Sequence, residues 1–248
     1  LAKKRLKVIV AGSLVKKVLY TPPTVCDTGA ARASKRRASS EAQKRMNAKY
    51  SYEKLELMLA ANFRRGDLVV TLTYDDDHLP AERSGCEQRL KRFRAALNKV
   101  RTRKGKRRLV MFWNTEHKHG DGRWHHHAVI NSTGADFADI QSCWPHGKVD
   151  IKPLRLDRQK NYLSLARYMC KEKPDRVGQR QWSYTRGAAK PEVESYWVDA
   201  DTVIQAPRGS LVFTDAHERT DYASYHYIRY LAPGWERQRA AAARRRRR

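Results

Sequence analysis

Two runs rich in apolar, β-branched and aromatic residues, Arg108–Glu116 (RLVMFWNTE) and Trp124–Asn131 (WHHHAVIN), flank the short polar stretch HKHGDG. This spacing predicts two strands joined by a tight loop, which commits the chain to an antiparallel sheet. Helical and strand periods alternate around the pair. Asp67–Tyr74 (DLVVTLTY) predicts a strand. Residues 86–104 predict a helix with Leu90, Phe93, Leu97 and Val100 inward and Lys91, Arg92, Arg94, Lys99 and Arg101 outward. A short helix around Asp136–Trp144, a strand over Lys148–Leu154, a helix over Gln159–Lys173 stopped by Pro174, and a strand over Gln179–Tyr184 follow. The order β-α-β-β-α-β-α-β predicts an α+β fold with a ferredoxin-like or RRM-like split βαβ core: a central antiparallel sheet with helices mainly on one face.

The flanks read differently. Residues 1–43 form a basic N-terminal arm with one apolar stretch, Lys7–Tyr20, which is able to add an edge strand. Ser40 and Gln43 have capping-box spacing, and Glu41–Phe63 carries Met46, Leu55, Met58, Leu59 and Phe63 at helical intervals. Residues 44–190 make the principal domain. Residues 191–235 make a C-terminal, mostly β extension, with strand-like Tyr196, Trp197, Val203, Ile204, Leu211–Phe213 and Tyr225–Tyr230. Residues 236–248 read as an Arg-rich, disordered tail.

Charge narrows the partners. Among 248 residues, 52 Lys+Arg face 26 Asp+Glu, a formal net charge of +26. Polyphosphate is the natural counter-charge, and nucleic acid its commonest form. No run approaches the ~20 apolar residues of a spanning helix, and no secretory leader opens the chain. Membrane and secreted classes are therefore set aside, and a cytoplasmic, DNA-associated location is expected. Cys26, Cys86, Cys143 and Cys170 form no CxxC pair, so neither a zinc ribbon nor a disulfide framework is indicated. No GxxxxGK[ST] occurs, so NTP-driven unwinding would fall to a separate helicase.

Chemistry concentrates in two places. Alternate residues of a strand share a face, so His125 and His127 point one way and His126 the other. Glu116 closes the preceding strand, and the hairpin brings it beside that pair. Two imidazoles and a carboxylate can hold a divalent ion, Mg²⁺ or Mn²⁺, with positions open for substrate. The competing reading is a solvated basic loop, and His117 and His119 in that loop read as bystanders or phosphate contacts. The second place is Tyr168-Met169-Cys170-Lys171, where Tyr168 and Lys171 share a helix face. A tyrosine becomes a nucleophile only with help from a metal or cation, and YxxK alone is a weak motif. Tyr162 lies about 240° round the helix and cannot share the face of Tyr168.

As an ordered set, TLTYD at Thr71–Asp75, Glu116, GRWHHHAVI at Gly122–Ile130 and YMCK at Tyr168–Lys171 resemble the motifs of HUH endonucleases. In particular they resemble rolling-circle replication initiators of the gene-II/ORF2-like type from phages and plasmids. NFRRGDLVVTLTY, Trp144 followed by GKVDI, and QRQWSYTRGAAKPEV extend the likeness over roughly residues 44–193. The resemblance implies metal binding by Glu116, His125 and His127, with His126 where the family carries an apolar residue. It implies Tyr168 as nucleophile with Lys171 as its companion. It also implies nicking and rejoining of single-stranded DNA at a replication origin through a 5′-phosphotyrosyl intermediate, with a host DNA polymerase extending the free 3′-OH. Single-tyrosine transposases and relaxases share this chemistry. A non-enzymatic, basic nucleic-acid-packaging protein would account for Arg244–Arg248 but not for the two constellations. Arg123, Arg180 and Arg186 are candidate DNA contacts, and Trp182 is either a stacking face for an unpaired base or a core residue.

Overall fold

The computed structural model describes residues 3–22, 41–117, 122–172, 179–219 and 224–236. The Ser40–Gln43 cap, His119, Pro174 and the Arg-rich tail beyond residue 236 lie outside the described residues or side chains. The chain divides into two compact units. One comprises Leu1–Tyr50 with Lys190–Ala240, and the other is built on Ser51–Ala189.

The second unit holds the expected α+β core. After helix α1 (Glu41–Asn62), whose last turns enter this unit, come β3 (Leu68–Thr73), α2 (Arg83–Arg103), β4 (Met111–Glu116), β5 (His125–Ile130), α3 (Phe137–Ser142), β6 (Val149–Pro153), α4 (Leu163–Met169) and β7 (Ser183–Tyr184). The sheet order is β6-β3-β5-β4-β7, with every neighbouring pair antiparallel. Its first four strands thus stand in the split βαβ arrangement, with β5 inserted between the two strands that α2 connects.

Both faces of this sheet are covered. The crossover helices α2 and α3 pack on one face through Cys86, Leu90, Phe93, Leu97, Ile140 and neighbouring Trp144 against Val70, Leu72, Met111, Ala128 and Ile130. On the other face, Leu55, Met58, Leu59 and Phe63 of the α1 region and Ala166 and Met169 of α4 meet Phe112, Val129 and Leu154. The expectation of helices mainly on one face therefore holds for the crossover helices alone; α1 and α4, which flank the core in sequence, cover the remainder. Met46, assigned to the apolar face of α1, is exposed. Arg101, assigned outward, is buried. The last turn of α2 lies over residues 131–136, where its guanidinium donates to Asn131 Oδ1 at 2.8 Å and Asp136 Oδ1 at 3.1 Å.

Helix α4 is shorter than its apolar period suggested. It starts late because Asn161 Oδ1 accepts from the Leu163 amide and Asp157 Oδ2 from the Ser164 amide, satisfying donors of the first turn. Gly147 is required where the backbone after β3 passes: with φ 152°, a Cβ there would lie 2.5 Å from the Thr73 carbonyl oxygen.

The first unit is a second antiparallel sheet, ordered β8-β1-β2-β10-β9. Its strands are β1 (Lys3–Ala11), β2 (Leu14–Tyr20), β8 (Glu192–Asp199), β9 (Leu211–Arg219) and β10 (Ser224–Leu231). The basic arm expected over residues 1–43 is, over residues 3–20, a hairpin in the middle of this sheet. The separation of residues 1–43 from 191–235 gives way to one shared unit. The physical reason is the period-2 pattern: Leu6, Val15, Leu19, Ile228 and Tyr230 line one face with Ile204, while many of the cations occupy alternate positions. Gly12, at φ 60°, opens the two-residue turn.

Candidate active site

The site lies on the face of the second unit's sheet that α1 and α4 cover. Glu116 is the register partner of His125, Asn114 of His127, and Thr115 of His126. On the other side of β5, Thr71 pairs His127 and Thr73 pairs His125. Glu116, His125 and His127 consequently project together beside the apolar residues Phe112 and Val129 of the same face. The Oε1 atom of Glu116 sits 2.7 Å from Nε2 of His125 and 2.7 Å from Nε2 of His127. Glu116 is fully buried and His127 nearly so.

The outer ring nitrogens are held as well. Nδ1 of His125 lies 2.9 Å from the Arg123 carbonyl oxygen, and Nδ1 of His127 lies 3.2 Å from the Thr71 hydroxyl. Metal-binding imidazoles are oriented in this way, with the far nitrogen occupied and the near one free to ligate. The donor set therefore fits a divalent ion: two Nε2 atoms and a carboxylate oxygen converge on one point.

Helix α4 brings the second constellation over this point. Its buried Ala166 and Met169 anchor it to the sheet, while Tyr168 on the far side is 44% exposed. Tyr168 Oη lies 3.0 Å from His127 Nε2. Just past the helix end, Lys171 Nζ lies 3.0 Å from Glu116 Oε1 and 4.3 Å from the centre of the Tyr168 ring. Burial would raise the Glu116 pKa, but hydrogen bonds from His125, His127 and Lys171 outweigh it and hold the carboxyl well below its usual range. Burial lowers the basicity of His125, and the bonds to Glu116 and the Arg123 carbonyl more than restore it. Lys171 is likewise pushed up: burial opposes its charge, and Glu116 prevails.

His126 points to the opposite face, as the strand alternation requires. It is fully buried, with Nε2 2.8 Å from Tyr74 Oη and Nδ1 2.8 Å from Thr115 Oγ1. Burial pushes its pKa down to about 3, so the ring is neutral. Tyr162 is in the core, where its hydroxyl donates to the Phe63 carbonyl at 3.3 Å. His117 stacks on Trp124 at 4.0 Å, and its amide donates to Glu172.

The candidate DNA contacts are scattered. Arg123 donates to Asp76 at 2.6 Å and to the Tyr74 carbonyl at 3.2 Å. Arg180 and Arg186 are exposed. Trp182 is not a stacking face: it is 8% exposed, stacks on Phe112 at 6.2 Å, and donates its indole N–H to Ser51. Its neighbours Gln181, Ser183 and Tyr184 bring it back onto the sheet at β7. Thr71 was missed as a site residue; the alternation in TLTY placed it on a face, and only the β3–β5 register shows that the face is that of His127.

Fold and site together define an α+β domain with a carboxylate–imidazole centre on its sheet and a tyrosine–lysine pair above it. Residues 67–173 match the family model of the replication-associated proteins of ORF2 and gene-II type, and this segment, which holds every residue of the cluster, is of that family. Comparison with curated proteins and with solved structures returns no match. Among the described residues, no helix is long and apolar enough to cross a membrane.

Proposed function

We propose that the protein initiates rolling-circle replication by nicking single-stranded DNA at an origin and later rejoining it. The observation that carries this reading is the convergence of Tyr168 and Lys171 on Glu116, His125 and His127. Those last three would hold Mg²⁺ or Mn²⁺, and the bound ion would act as a Lewis acid on a phosphate oxygen. Tyr168 Oη attacks the scissile phosphorus in line, losing its proton to solvent. The bond from phosphorus to the 3′ oxygen breaks, and that oxygen leaves as a hydroxyl after taking a proton. The products are a 5′-phosphotyrosyl link and a free 3′-OH, which a host polymerase extends. Attack by a 3′-OH on the same link reverses the step, so rejoining needs no NTP. Lys171 offsets negative charge at the phenolic oxygen and the phosphate. The net charge of +26 suits a polyanionic substrate.

The test is a pool of random-sequence single-stranded oligonucleotides incubated with the protein and Mn²⁺, read as a covalent adduct on a denaturing gel. An adduct is expected with Mn²⁺ and none with excess chelator. Glu116→Gln and His127→Ala should each form none. Cleavage that persists without an adduct, or an adduct that survives the chelator, would overturn the reading.

A further inference from the structure

A second cluster of ligating side chains lies in the first unit, on the ribbon formed by β9 and β10. His217 and His226 are direct cross-strand partners, and Asp215 stands two residues before His217, on the same face. The two imidazole rings stack with centroids 3.8 Å apart and 20° between their planes. His226 Nε2 lies 2.7 Å from Asp215 Oδ1. One ligating atom from each of the three lies within 4.8 Å of the others. Ligands of a tetrahedral ion at ~2.0–2.1 Å stand ~3.4 Å apart, so small side-chain rotations close this set round one ion.

From this geometry we infer that Asp215, His217 and His226 form a second divalent-metal site, for a borderline ion of the Zn²⁺ class. Two imidazoles with one carboxylate suit Zn²⁺, Co²⁺, Ni²⁺ or Cu²⁺, whereas Ca²⁺ and Mg²⁺ favour all-oxygen cages. The side chain of His226 is only 11% exposed, which fixes one ligand, while that of Asp215 at 55% leaves the site open to solvent. A cavity lined by Tyr20, Thr202, His217, Glu218, Tyr225 and His226 gives access to the remaining coordination positions. Among the described residues of this unit, no tyrosine–lysine pair like Tyr168 and Lys171 stands over the cluster, so its role is adhesive. β9 is an edge strand that pairs only with β10 and is mostly exposed, and an ion shared between Asp215, His217 and His226 ties it to its neighbour.

The experiment uses the untagged full chain, stripped with chelator and titrated with ZnCl₂ by calorimetry. To separate this site from the one on the other sheet, the titration is run in a His125→Ala/His127→Ala background. One equivalent is expected there, falling to none when His217→Ala or His226→Ala is added. Asp215→Asn, which keeps the shape, should weaken binding by roughly ten- to a hundredfold. Circular dichroism of each variant checks folding, since His217 lies on the surface. A hundredfold excess of Zn²⁺ over its dissociation constant should favour the folded first unit about a hundredfold, a gain absent in His217→Ala. No binding in the background variant, or binding indifferent to all three substitutions, overturns the site. Neither result bears on Glu116, His125 and His127, which are read separately in the wild-type chain.

Discussion

Tyr168 Oη stands 3.0 Å from Nε2 of His127, a residue forty-one positions earlier in the chain. The contact exists because α4 packs on the face of β5 from which His127 projects. Tyr168→Phe keeps the ring over Lys171 and removes only the hydroxyl. The melting temperature should change little, and covalent adduct formation should stop. Tyr162→Phe should still form the adduct and lose about 1 kcal/mol of stability, because its hydroxyl serves the Phe63 carbonyl. Peptide mapping that found DNA on Tyr162 would reverse the assignment.

Thr71 reaches the metal site only through His127, whose Nδ1 it meets at 3.2 Å. Thr71→Val keeps the β-branched shape and removes the oriented hydroxyl. Mn²⁺ affinity at the Glu116 site should fall about 10- to 100-fold, as it does when the outer hydrogen-bond partners of ligating histidines are lost. Titration of the Thr71→Val and wild-type chains checks this; equal affinities would show that β5 alone orients His127.

His126→Leu tests the strand phase. The side chain lies on the face away from Glu116, so adduct formation should persist. Stability should drop by about 1–3 kcal/mol for each buried partner left without its bond, Tyr74 Oη and Thr115 Oγ1. Denaturant unfolding beside the adduct assay separates the two effects. Loss of the adduct from a folded His126→Leu chain would contradict the phase.

Trp182→Ala should act on stability first. A buried tryptophan packed on Phe112 and Tyr184 is expected to cost about 3–5 kcal/mol when truncated. Arg186→Ala, on the exposed surface, should leave stability unchanged and lower affinity for single-stranded DNA, with the slope of log K against log salt reduced by about 0.7 if Arg186 neutralises one phosphate. Fluorescence anisotropy at several salt concentrations distinguishes them. A folded Trp182→Ala chain with weakened DNA binding would restore the stacking role.

Removing residues 1–20 should unfold the first unit. β1 and β2 stand between β8 and β10, so their loss parts the sheet and exposes Ile228 and Tyr230. The shortened chain should aggregate or lose part of its β-sheet signal in circular dichroism. A soluble chain with an unchanged β signal would show that β8 and β10 can pair without them.

The sequence by itself determined what is local. Alternation along WHHHAVI separated His125 and His127 from His126, and the short HKHGDG connection set Glu116 against the pair, because a hairpin's register follows from its loop and its pleat. Helical spacing told Tyr168 from Tyr162 for the same reason. Only the tertiary structure decided what depends on contacts between distant segments. The charge of Lys3–Lys7 masked the period-2 pattern of a central strand, and no local signal announced that its partner, β8, lies some 190 residues away. Trp182 reads alike as a stacking ring or a core ring until the position of Phe112 is known. The meeting of Asp215, His217 and His226 likewise required the β9–β10 register, since residues separated in sequence share a site only when backbone hydrogen bonds fix which of them stand opposite.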